Sequence, residues 1–383
     1  MSVIYLDHAA SSWPKPAGVV DAMVEAVTTY GANPGRGSHQ LAVQASRKLF
    51  QTRSNIAKLC HIRNPNDIVF TKNTTEALNL AILGFVKEQD HVVCTTVEHN
   101  SVRRPLEHLK QQKDVSVTYV QGDKQGHVDV QKIKEAINSK TALIICSHSS
   151  NLLGTISPIK EIGALAKEKG IVFLVDAAQT IGVLPIDVVD MNIHLLAFPG
   201  HKSLLGPQGT GGLYVHNLID LEPILYGGTG SQSELIHQPT VRPDRYESGT
   251  ANTPGIAGWN EGVLYVQKKS IQHIYDHEWK LTEEMMRELN KIKGVSLLGP
   301  SIDEKRTGVV AFQMEGMDAS EVAFILDQHY SIAVRSGYHC SPLAHETAGS
   351  IDNGAIRASV GYCTTEEEVE SLIRAVKEIS HAY

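Results

Sequence analysis

No long apolar stretch and no excess of positive charge occur in this sequence. No apolar segment reaches the ~20 residues that a transmembrane helix needs, and we expect no membrane association. The first residues carry no charged segment followed by an apolar core, so we also expect no secretory signal. Lysine and arginine number 35 against 42 acidic residues, and no basic block occurs, which argues against a nucleic-acid partner.

Cysteine is scarce and irregularly placed. The five cysteines form no CxxC pair, and their number is odd, so we predict neither a disulfide framework nor a metal site. This usage is typical of a reducing compartment, and we expect a cytoplasmic protein. The cysteines are Cys60, Cys94, Cys146, Cys340 and Cys363.

Short β-branched runs alternate with helix-period segments from about residue 67 onward. This alternation predicts an α/β fold whose mostly parallel, seven-stranded sheet is covered by helices on both faces. The stretch from Gly209 to Val215 is the expected antiparallel exception. The predicted strands are 68–71, 91–97, 115–120, 142–146, 171–175, 195–198 and 212–215.

The pattern changes after Pro254. We predict one long helical region over 256–292, then short strands and a last helix opened by Thr364-Thr365-Glu366-Glu367, an order that resembles a capping signal. The chain of 383 residues is long enough for two domains. We therefore predict a large cofactor-binding domain over 15–265 and a smaller α+β domain formed by 1–14 and 266–383.

A lysine and an aspartate follow two of the predicted strands. Lys202 closes the string Phe198-Pro199-Gly200-His201-Lys202, and Asp176 stands 26 residues before it. A lysine can form a Schiff base with an aldehyde cofactor, and an aspartate can keep a pyridinium nitrogen protonated so that the ring accepts electrons. This pairing indicates pyridoxal 5'-phosphate (PLP) bound covalently to Lys202.

The segment Asn73-Thr74-Thr75-Glu76-Ala77 follows a strand and opens a helix. Free N–H groups, the two hydroxyls and the positive end of the helix dipole suit a phosphate. The alternative is simple N-capping by Thr74 or Thr75. Beside the Asp176 and Lys202 pairing, we favour the phosphate.

Polar residues follow two other strand ends, and one more follows the Asp176 strand, at the edge where open α/β sheets place their ligands. His99 can stack on a pyridine ring and transfer protons, although a lone loop histidine is more often structural. Asn151 can hydrogen-bond a phenolic oxygen or a substrate carboxylate, although turn chemistry also favours asparagine. Gln179, three residues past Asp176, can reach the same phenolic oxygen.

Two further residues point to a substrate. Arg357 is a charge on an otherwise apolar strand, which suits either a substrate carboxylate or a structural ion pair. Cys340 follows a short strand and precedes a polar stretch, Ala344 to Asn353, that predicts a long, mobile, exposed loop. Thiolate is the reactive form of cysteine, and Arg335 and His339 can favour it electrostatically. The alternative is a loop cysteine without a role in the chemistry.

These motifs occur in one order along nearly the whole chain, and together they resemble the cysteine desulfurases of the class V aminotransferase family, PLP enzymes of fold type I. The strings that carry the resemblance are Tyr5-Leu6-Asp7-His8-Ala9-Ala10, Asn73-Thr74-Thr75-Glu76-Ala77, Glu98-His99-Asn100, Asn151-Leu152-Leu153-Gly154-Thr155, Val175-Asp176-Ala177-Ala178-Gln179, Gly200-His201-Lys202, Glu247-Ser248-Gly249-Thr250, Arg335-Ser336-Gly337-Tyr338-His339-Cys340 and Ile356-Arg357-Ala358-Ser359.

The resemblance implies a role for each residue. The cofactor would be held by Thr74, Thr75, His99, Asn151, Asp176, Gln179, His201 and Lys202, with Thr250 contributed by the second subunit of a homodimer. Arg357, Asn151 and Arg335 would contact the amino-acid substrate. Lys202, His99 and Asp176 would be catalytic, and Cys340 would carry the sulfur as a persulfide before passing it to an acceptor protein.

Three positions depart from the family pattern. Pro199 stands where a phosphate-binding serine is common, Tyr338 replaces the first of two histidines, and Ser341 follows the cysteine where alanine is common. The chemistry implied is conversion of L-cysteine to L-alanine. The alternatives are a selenocysteine lyase, an aminotransferase or an epimerase of the same fold, and a PLP-binding protein without catalysis.

Overall fold

The computed structural model describes residues 3–35 and 37–382. Its strands are β1 (Ile4–Tyr5), β2 (Ile68–Thr71), β3 (His91–Thr95), β4 (Ser116–Val120), β5 (Thr141–Ser147), β6 (Val172–Asp176), β7 (Leu195–Pro199), β8 (Gly211–Val215), β9 (Val295–Leu298), β10 (Val309–Met314), β11 (Ile332–Ala333), β12 (Arg335–Gly337) and β13 (Ala355–Ser359).

The helices cover both faces of the main sheet and one face of a smaller sheet. They are α1 (Ala17–Thr29), α2 (Gln40–Leu59), α3 (Thr74–Phe85), α4 (Asn100–Lys113), α5 (Val130–Ala136), α6 (Ile159–Lys169), α7 (Thr253–Lys269), α8 (Ile271–Leu289), α9 (Ala319–Tyr330), α10 (Pro342–Ala348) and α11 (Glu366–Ala382).

The main sheet has seven strands in the order β2-β8-β7-β6-β5-β3-β4. Strands β3 to β7 pair in parallel, whereas β8 is antiparallel to both of its neighbours. The predicted α/β fold and its antiparallel exception are therefore confirmed. The strand order reverses between β3 and β5, the position at which such sheets bind their ligands.

The sheet is buried on both faces because successive side chains of a strand point to opposite sides. Val92 and Cys94 of β3 belong to one hydrophobic cluster, and Val93 between them belongs to the other. Helices α3 and α4 close the first cluster, and α2, α6 and α7 close the second. This double covering explains why the strands read as nearly continuous apolar runs.

The smaller sheet has the order β12-β13-β10-β9 and is antiparallel throughout. Helices α8, α9 and α11 pack on it around a separate hydrophobic cluster. The N-terminal arm joins this unit, because β1 pairs with β11 and Leu6 lies in the cluster. The boundaries at residues 14/15 and 265/266 remain a prediction.

Two details of the C-terminal half concern helix ends. The helical region predicted over 256–292 is present but divided, because Ser270 adopts a positive φ of 69° and separates α7 from α8. The capping signal before α11 is present as a reciprocal pair. Thr365 N–H donates to Glu368 Oε2 at 2.9 Å, and Glu368 N–H donates to Thr365 Oγ1 at 3.2 Å.

Across residues 3–35 and 37–382, no helix combines the length and the apolar character needed to cross a membrane.

Candidate active site

One cavity lies at the carboxyl ends of β3, β5, β6 and β7, beside the point where the strand order reverses. It gathers most of the residues predicted from the sequence, although they are spread from residue 74 to residue 357. The predicted residues that line it are Thr74, Thr75, His99, Asn151, Asp176, Gln179, His201, Lys202, Arg335 and Arg357.

The pKa values of Lys202 and Asp176 are both shifted towards neutral pH. Burial and the nearby Arg357 guanidinium lower the pKa of Lys202 to about 8, although Asp176 opposes the shift. Burial raises the pKa of Asp176 to about 6, against the hydrogen bond from Ala178 N–H and the charge of Lys202. An amine with a pKa of about 8 and a carboxyl with a pKa of about 6 suit proton transfer near pH 7.

The N-terminal arm fixes the backbone that carries Lys202. Ser12 Oγ donates to the Lys202 carbonyl oxygen at 2.9 Å, and Lys15 Nζ donates to the His201 carbonyl oxygen at 2.8 Å. Ser12 N–H also donates to the His201 carbonyl oxygen at 3.0 Å. The position of the amine therefore depends on a segment 190 residues away in sequence.

Helix α3 begins at the cavity, as expected for a phosphate site. Its N-cap is Asn73, whose Oδ1 accepts from Glu76 N–H at 2.9 Å, and not Thr74 or Thr75. The alternative reading of Thr74 and Thr75 as caps is therefore wrong. Their N–H groups belong to the first helical turn, which has no intrahelical acceptors, and they can bind an anion. The Asn73-to-Glu76 spacing was the sequence signal for this cap.

His99 is held as a neutral ring in one tautomer. Its Nδ1 accepts a hydrogen bond from Ser101 N–H at 3.0 Å, so the ring proton resides on Nε2. Burial, reinforced by the positive charge of Lys202, lowers the pKa of His99 to about 4. The side chain thus presents a flat, uncharged ring with one N–H donor at the edge of the cavity.

Glu98 is an important residue whose role sequence reasoning missed. Its carboxyl is buried and accepts from Thr95 Oγ1 at 2.6 Å, Ser147 N at 2.7 Å and Ser147 Oγ at 2.6 Å. Burial raises the pKa of Glu98 to about 7, although these hydrogen bonds oppose the shift. Because Ser147 pairs with Asp176 in the sheet, Glu98 ties the ends of β3, β5 and β6 together.

The two predicted amides that line the cavity, Gln179 and Asn151, already have protein partners. Gln179 Nε2 donates to the Ala9 carbonyl oxygen at 3.2 Å. Asn151 Nδ2 donates to the His339 carbonyl oxygen at 2.7 Å, and its Oδ1 accepts from Ser341 Oγ at 2.5 Å. Asn151 therefore contacts the segment around Cys340 as well as the cavity.

Arg357 fits both interpretations that its sequence allowed, a substrate-binding residue and a member of a structural ion pair. It borders the cavity, yet its Nη2 lies 2.8 Å from Asp7 Oδ1 and its Nη1 donates to the Asn151 carbonyl oxygen at 2.9 Å. Only 1% of the residue is exposed, so the ion pair offsets the cost of burying the charge. Asp7, within the Tyr5-Leu6-Asp7-His8 string, is a site residue that we did not anticipate.

The long mobile loop predicted after Cys340 is wrong. Pro342 to Ala348 form helix α10, and Cys340 lies in a tight turn directly before it, which we call the cysteine turn (residues 338–341). The polar stretch was misread because buried His345 bonds Ser350 and fills a core position. Cys340 is exposed, as predicted, and lies beside the cavity in an adjoining groove that shares His99 and Thr75.

Only one of the two expected cations faces the sulfur. Arg335 Nη2 lies 3.7 Å from Cys340 Sγ. His339, by contrast, is buried, and burial together with the Arg357 charge lowers its pKa to about 3. His339 is therefore neutral and adds no positive charge beside the thiol.

Thr250 lies apart from the cavity of its own chain. It is exposed and accepts from Asn33 Nδ2 at 3.4 Å. It lies in a separate pocket formed by the 225–252 segment, the middle of α2 and the end of β2. Within one chain, Thr250 is therefore not among the described residues that line the cavity.

The side chains and N–H groups of the cavity fit PLP, the cofactor inferred from the sequence. A pyridine aldehyde phosphate needs an amine, an acidic partner for its ring nitrogen, a flat neighbour and an anion site. Lys202, Asp176 and His99 supply the first three, and the first turn of α3 supplies the fourth. No part of the cavity wall that the described residues form conflicts with that chemistry.

Comparisons with known proteins agree with this chemistry. Residues 4–372 match the family model described as aminotransferase class-V. The chain is 38% identical to a "Probable cysteine desulfurase" of Methanothermobacter thermautotrophicus, over 98% of this chain and 94% of that protein. It is 32% identical to a "Cysteine desulfurase" of Haloferax volcanii, over 98% of this chain and 88% of that protein.

Solved structures show the same likeness in three dimensions. The apo structure of the cysteine desulfurase from Thermococcus onnurineus NA1 superposes with a TM-score of 0.93 at 35% identity, covering all of this chain and 95% of that one. The cysteine desulfurase CsdA of Escherichia coli, in an S-sulfonic acid form, gives 0.88 at 25% identity, covering 99% and 95%.

Proposed function

Since the chain belongs to the class V aminotransferase family, we propose that it is a PLP-dependent cysteine desulfurase that converts L-cysteine to L-alanine. The observation that carries the proposal is the cavity in which Lys202, Asp176, His99 and Arg357 meet, with exposed Cys340 beside it. An enzyme of the family that needed no thiol would have no use for a cysteine at that place.

The ring of the cofactor would be held by residues that already surround the cavity. Lys202 would bind it covalently, Asp176 would face its ring nitrogen, and His99 would stack on the ring. Asn151 and Gln179 would contact its phenolic oxygen. When bound, PLP supplies an electron sink for the carbon next to the substrate carboxylate.

The phosphate of the cofactor would lie at the first turn of α3, where N–H groups lack intrahelical acceptors. One further contact would come from a second subunit. The residues that would contact the phosphate are Thr74, Thr75, His201 and the Thr250 of that subunit.

The side chains of the protein perform the remaining steps. Arg357, with Arg335 and Asn151, would bind the substrate carboxylate through charge-assisted hydrogen bonds. Lys202, whose lowered pKa gives it a substantial neutral fraction near pH 8, would remove the Cα proton. His99 would donate or accept a proton at Nε2 beside the substrate thiol.

Cys340 would then attack the substrate sulfur as a thiolate. A sulfur–sulfur bond forms while the carbon–sulfur bond breaks, and the electron pair of that bond stays with the carbon skeleton, which takes up protons and leaves as alanine. The persulfide on Cys340 would pass its outer sulfur to an acceptor thiol by exchange. Exposure of Cys340 supports that transfer to an acceptor protein.

A homodimer with a shared active site and a cytoplasmic location complete the proposal. Thr250 has no contact with the cavity of its own chain, and apolar residues of the same segment are exposed, which supports a second copy covering them. These residues are Leu225, Tyr226, Leu235, Ile236 and Val241. All five cysteines are free thiols, which supports a reducing compartment.

Replacement of Cys340 tests the function. Cys340→Ala should lower alanine and sulfide formation from L-cysteine on the order of a hundredfold, because the nucleophile is lost. The visible absorption of the bound cofactor should be unchanged. Cys363→Ala, which removes the other thiol outside the core, is the matched control and should keep activity within about twofold.

Two outcomes would contradict the proposal. Undiminished sulfide release by Cys340→Ala would show that another group accepts the sulfur, as in a lyase of the same fold. Absence of alanine formation from L-cysteine by the parent chain, combined with turnover of another amino acid, would identify an aminotransferase or an epimerase.

A further inference from the structure

Ser341 occupies the position directly after Cys340 where the resembling family commonly has alanine. Its side chain is completely buried, and its hydroxyl donates to Asn151 Oδ1 at 2.5 Å. An alanine could not make this bond, so the hydroxyl adds a connection that the common form lacks. The bond joins residues that are 190 positions apart in the sequence.

The amide of Asn151 bonds both residues that flank Cys340. Its Oδ1 accepts from Ser341, and its Nδ2 donates to the His339 carbonyl oxygen at 2.7 Å. The His339 carbonyl oxygen can only accept, so it fixes Nδ2 on its side and leaves Oδ1 facing the Ser341 hydroxyl. The amide is thus set in one orientation by the cysteine turn.

The cysteine turn needs such support because its backbone is unusual. His339 and Cys340 have φ values of 50° and 57°, a left-handed region that residues with a Cβ rarely occupy in succession. Asn100 N–H, which donates to the Cys340 carbonyl oxygen at 2.7 Å, gives the turn its other anchor at the cavity. Strained backbone of this kind persists only where surrounding contacts hold it.

Asn151 also connects the turn to the substrate side of the cavity. Its carbonyl oxygen accepts from Arg357 Nη1 at 2.9 Å, and the residue borders the cavity itself. A primary amide has two donors and two acceptor lone pairs, of which the cysteine turn uses one each. The rest of its capacity remains for a group inside the cavity.

We propose that Ser341 is a positioning residue for Cys340: through the Asn151 amide it holds the cysteine turn in the one geometry that places the thiol beside the cavity. The inference rests on the proposed role of Cys340 as the acceptor of sulfur. Ser341 is not among the described residues that line the cavity or the groove beside it. It acts by fixing the position of the Cys340 sulfur during the reaction.

Ser341→Ala tests the inference because it removes one hydroxyl and leaves the cavity wall unchanged. In the cofactor-free chain, amide hydrogen exchange in residues 335–345 should accelerate about tenfold, the effect of losing roughly 1.4 kcal/mol of hydrogen-bond energy. Exchange in the strands of the main sheet should not change. Ser157→Ala, another buried serine, is the matched control and should leave exchange at the cysteine turn as it was.

The loaded enzyme gives a second readout that a merely structural role would not produce. Ser341→Ala should lower kcat for alanine formation about three- to tenfold and leave KM for L-cysteine within about twofold. The absorption spectrum of the cofactor should stay the same. Asn151→Ala should change that spectrum, because Asn151 borders the cavity, and the double variant should exchange no faster at the turn than Asn151→Ala alone.

Unchanged exchange in Ser341→Ala, or additive effects in the double variant, would overturn the inference. A fall in substrate affinity with kcat unchanged would also overturn it, since the residue would then act on binding. Failure of the parent chain to desulfurate cysteine would refute the proposed function instead, and the exchange measurements on the cofactor-free chain would still decide the role of Ser341.

Discussion

Burial at single residues decides which charges this site can use. Burial shifts Lys202, Asp176 and His99 towards their neutral forms. Lys202 and Asp176 thereby acquire pKa values near neutral pH, whereas His99 becomes an uncharged ring. Arg357 is more deeply buried but keeps an anionic partner, Asp7. Loss of hydration thus shifts the pKa values of the first three residues. It also explains why the fourth, Arg357, needs an anionic partner.

Glu278 shows the same effect outside the active site. It is 5% exposed, and among the residues that the structure describes none shifts its pKa through a hydrogen bond or a charge. Burial raises the pKa of Glu278 to about 8. Because the carboxyl ionises at lower pH in the unfolded chain, its contribution to stability is full below about pH 4.5 and is lost as the pH rises towards 8.

Glu278→Gln should therefore stabilise the protein at pH 8.5, on the order of 2 kcal/mol, with little effect at pH 5. Urea denaturation midpoints of the parent chain and the variant at the two pH values measure this difference. Glu283→Gln, at a partly exposed position on the same helix, serves as the control and should leave both midpoints nearly unchanged. An equal effect of Glu278→Gln at both pH values would show that ionisation of Glu278 is not the cause.

Among the secondary-structure elements, long-range anchors hold the segments that carry site residues. Glu247 begins the Glu247-Ser248-Gly249-Thr250 string and ties it to α2 and β2. Its carboxyl pairs with Arg53, whose guanidinium also lies 4.0 Å from the centre of the Phe70 ring. The Arg53 side chain is only 5% exposed, so the pair is largely removed from water.

Glu247→Ala should destabilise the protein by about 3 kcal/mol, because it leaves the buried Arg53 charge without a partner. Chemical denaturation measures the loss. The double variant Arg53→Met with Glu247→Ala should recover much of it, since no unpaired charge remains. Equal losses in the single and double variants would mean that packing, and not charge pairing, holds the segment.

Across the molecule as a whole, His127 links the main sheet to the smaller one. The loop after β4 contributes His127 and Asp123, and the loop between β9 and β10 contributes Glu304. His127 Nδ1 lies 3.0 Å from Asp123 Oδ2, and Nε2 lies 2.6 Å from Glu304 Oε1. Burial alone would lower the pKa of His127, but the bonds to both carboxylates outweigh it and raise the pKa.

The stabilising effect of this bridge should depend on pH. A raised pKa in the folded state gives a contribution that is full below about pH 6.5 and is lost as the pH rises above the folded value. His127→Gln should thus lower the thermal midpoint by a few degrees at pH 6 and by much less at pH 9. Equal shifts at both values, measured by scanning calorimetry, would refute a role for the charged ring.

The α/β fold and most of the candidate site could be predicted without any structure. Periodicity is local, so alternating runs predicted the seven strands, and strand-end residues such as Lys202, Asp176 and His99 converge because parallel strands present their carboxyl ends at one edge. Helix breaks without glycine or proline, as at Ser270, leave no local signal of this kind.

The partners of these residues, by contrast, became known from the folded chain alone. The pairing of Asp7 with Arg357 spans 350 positions, and the bond from Ser341 to Asn151 spans 190, so no local pattern encodes either. The same holds for helix α10 after the cysteine turn, because its polar residues predicted a loop but fold against buried partners. Burial and the distances between remote segments arise from packing, which no short stretch of sequence records.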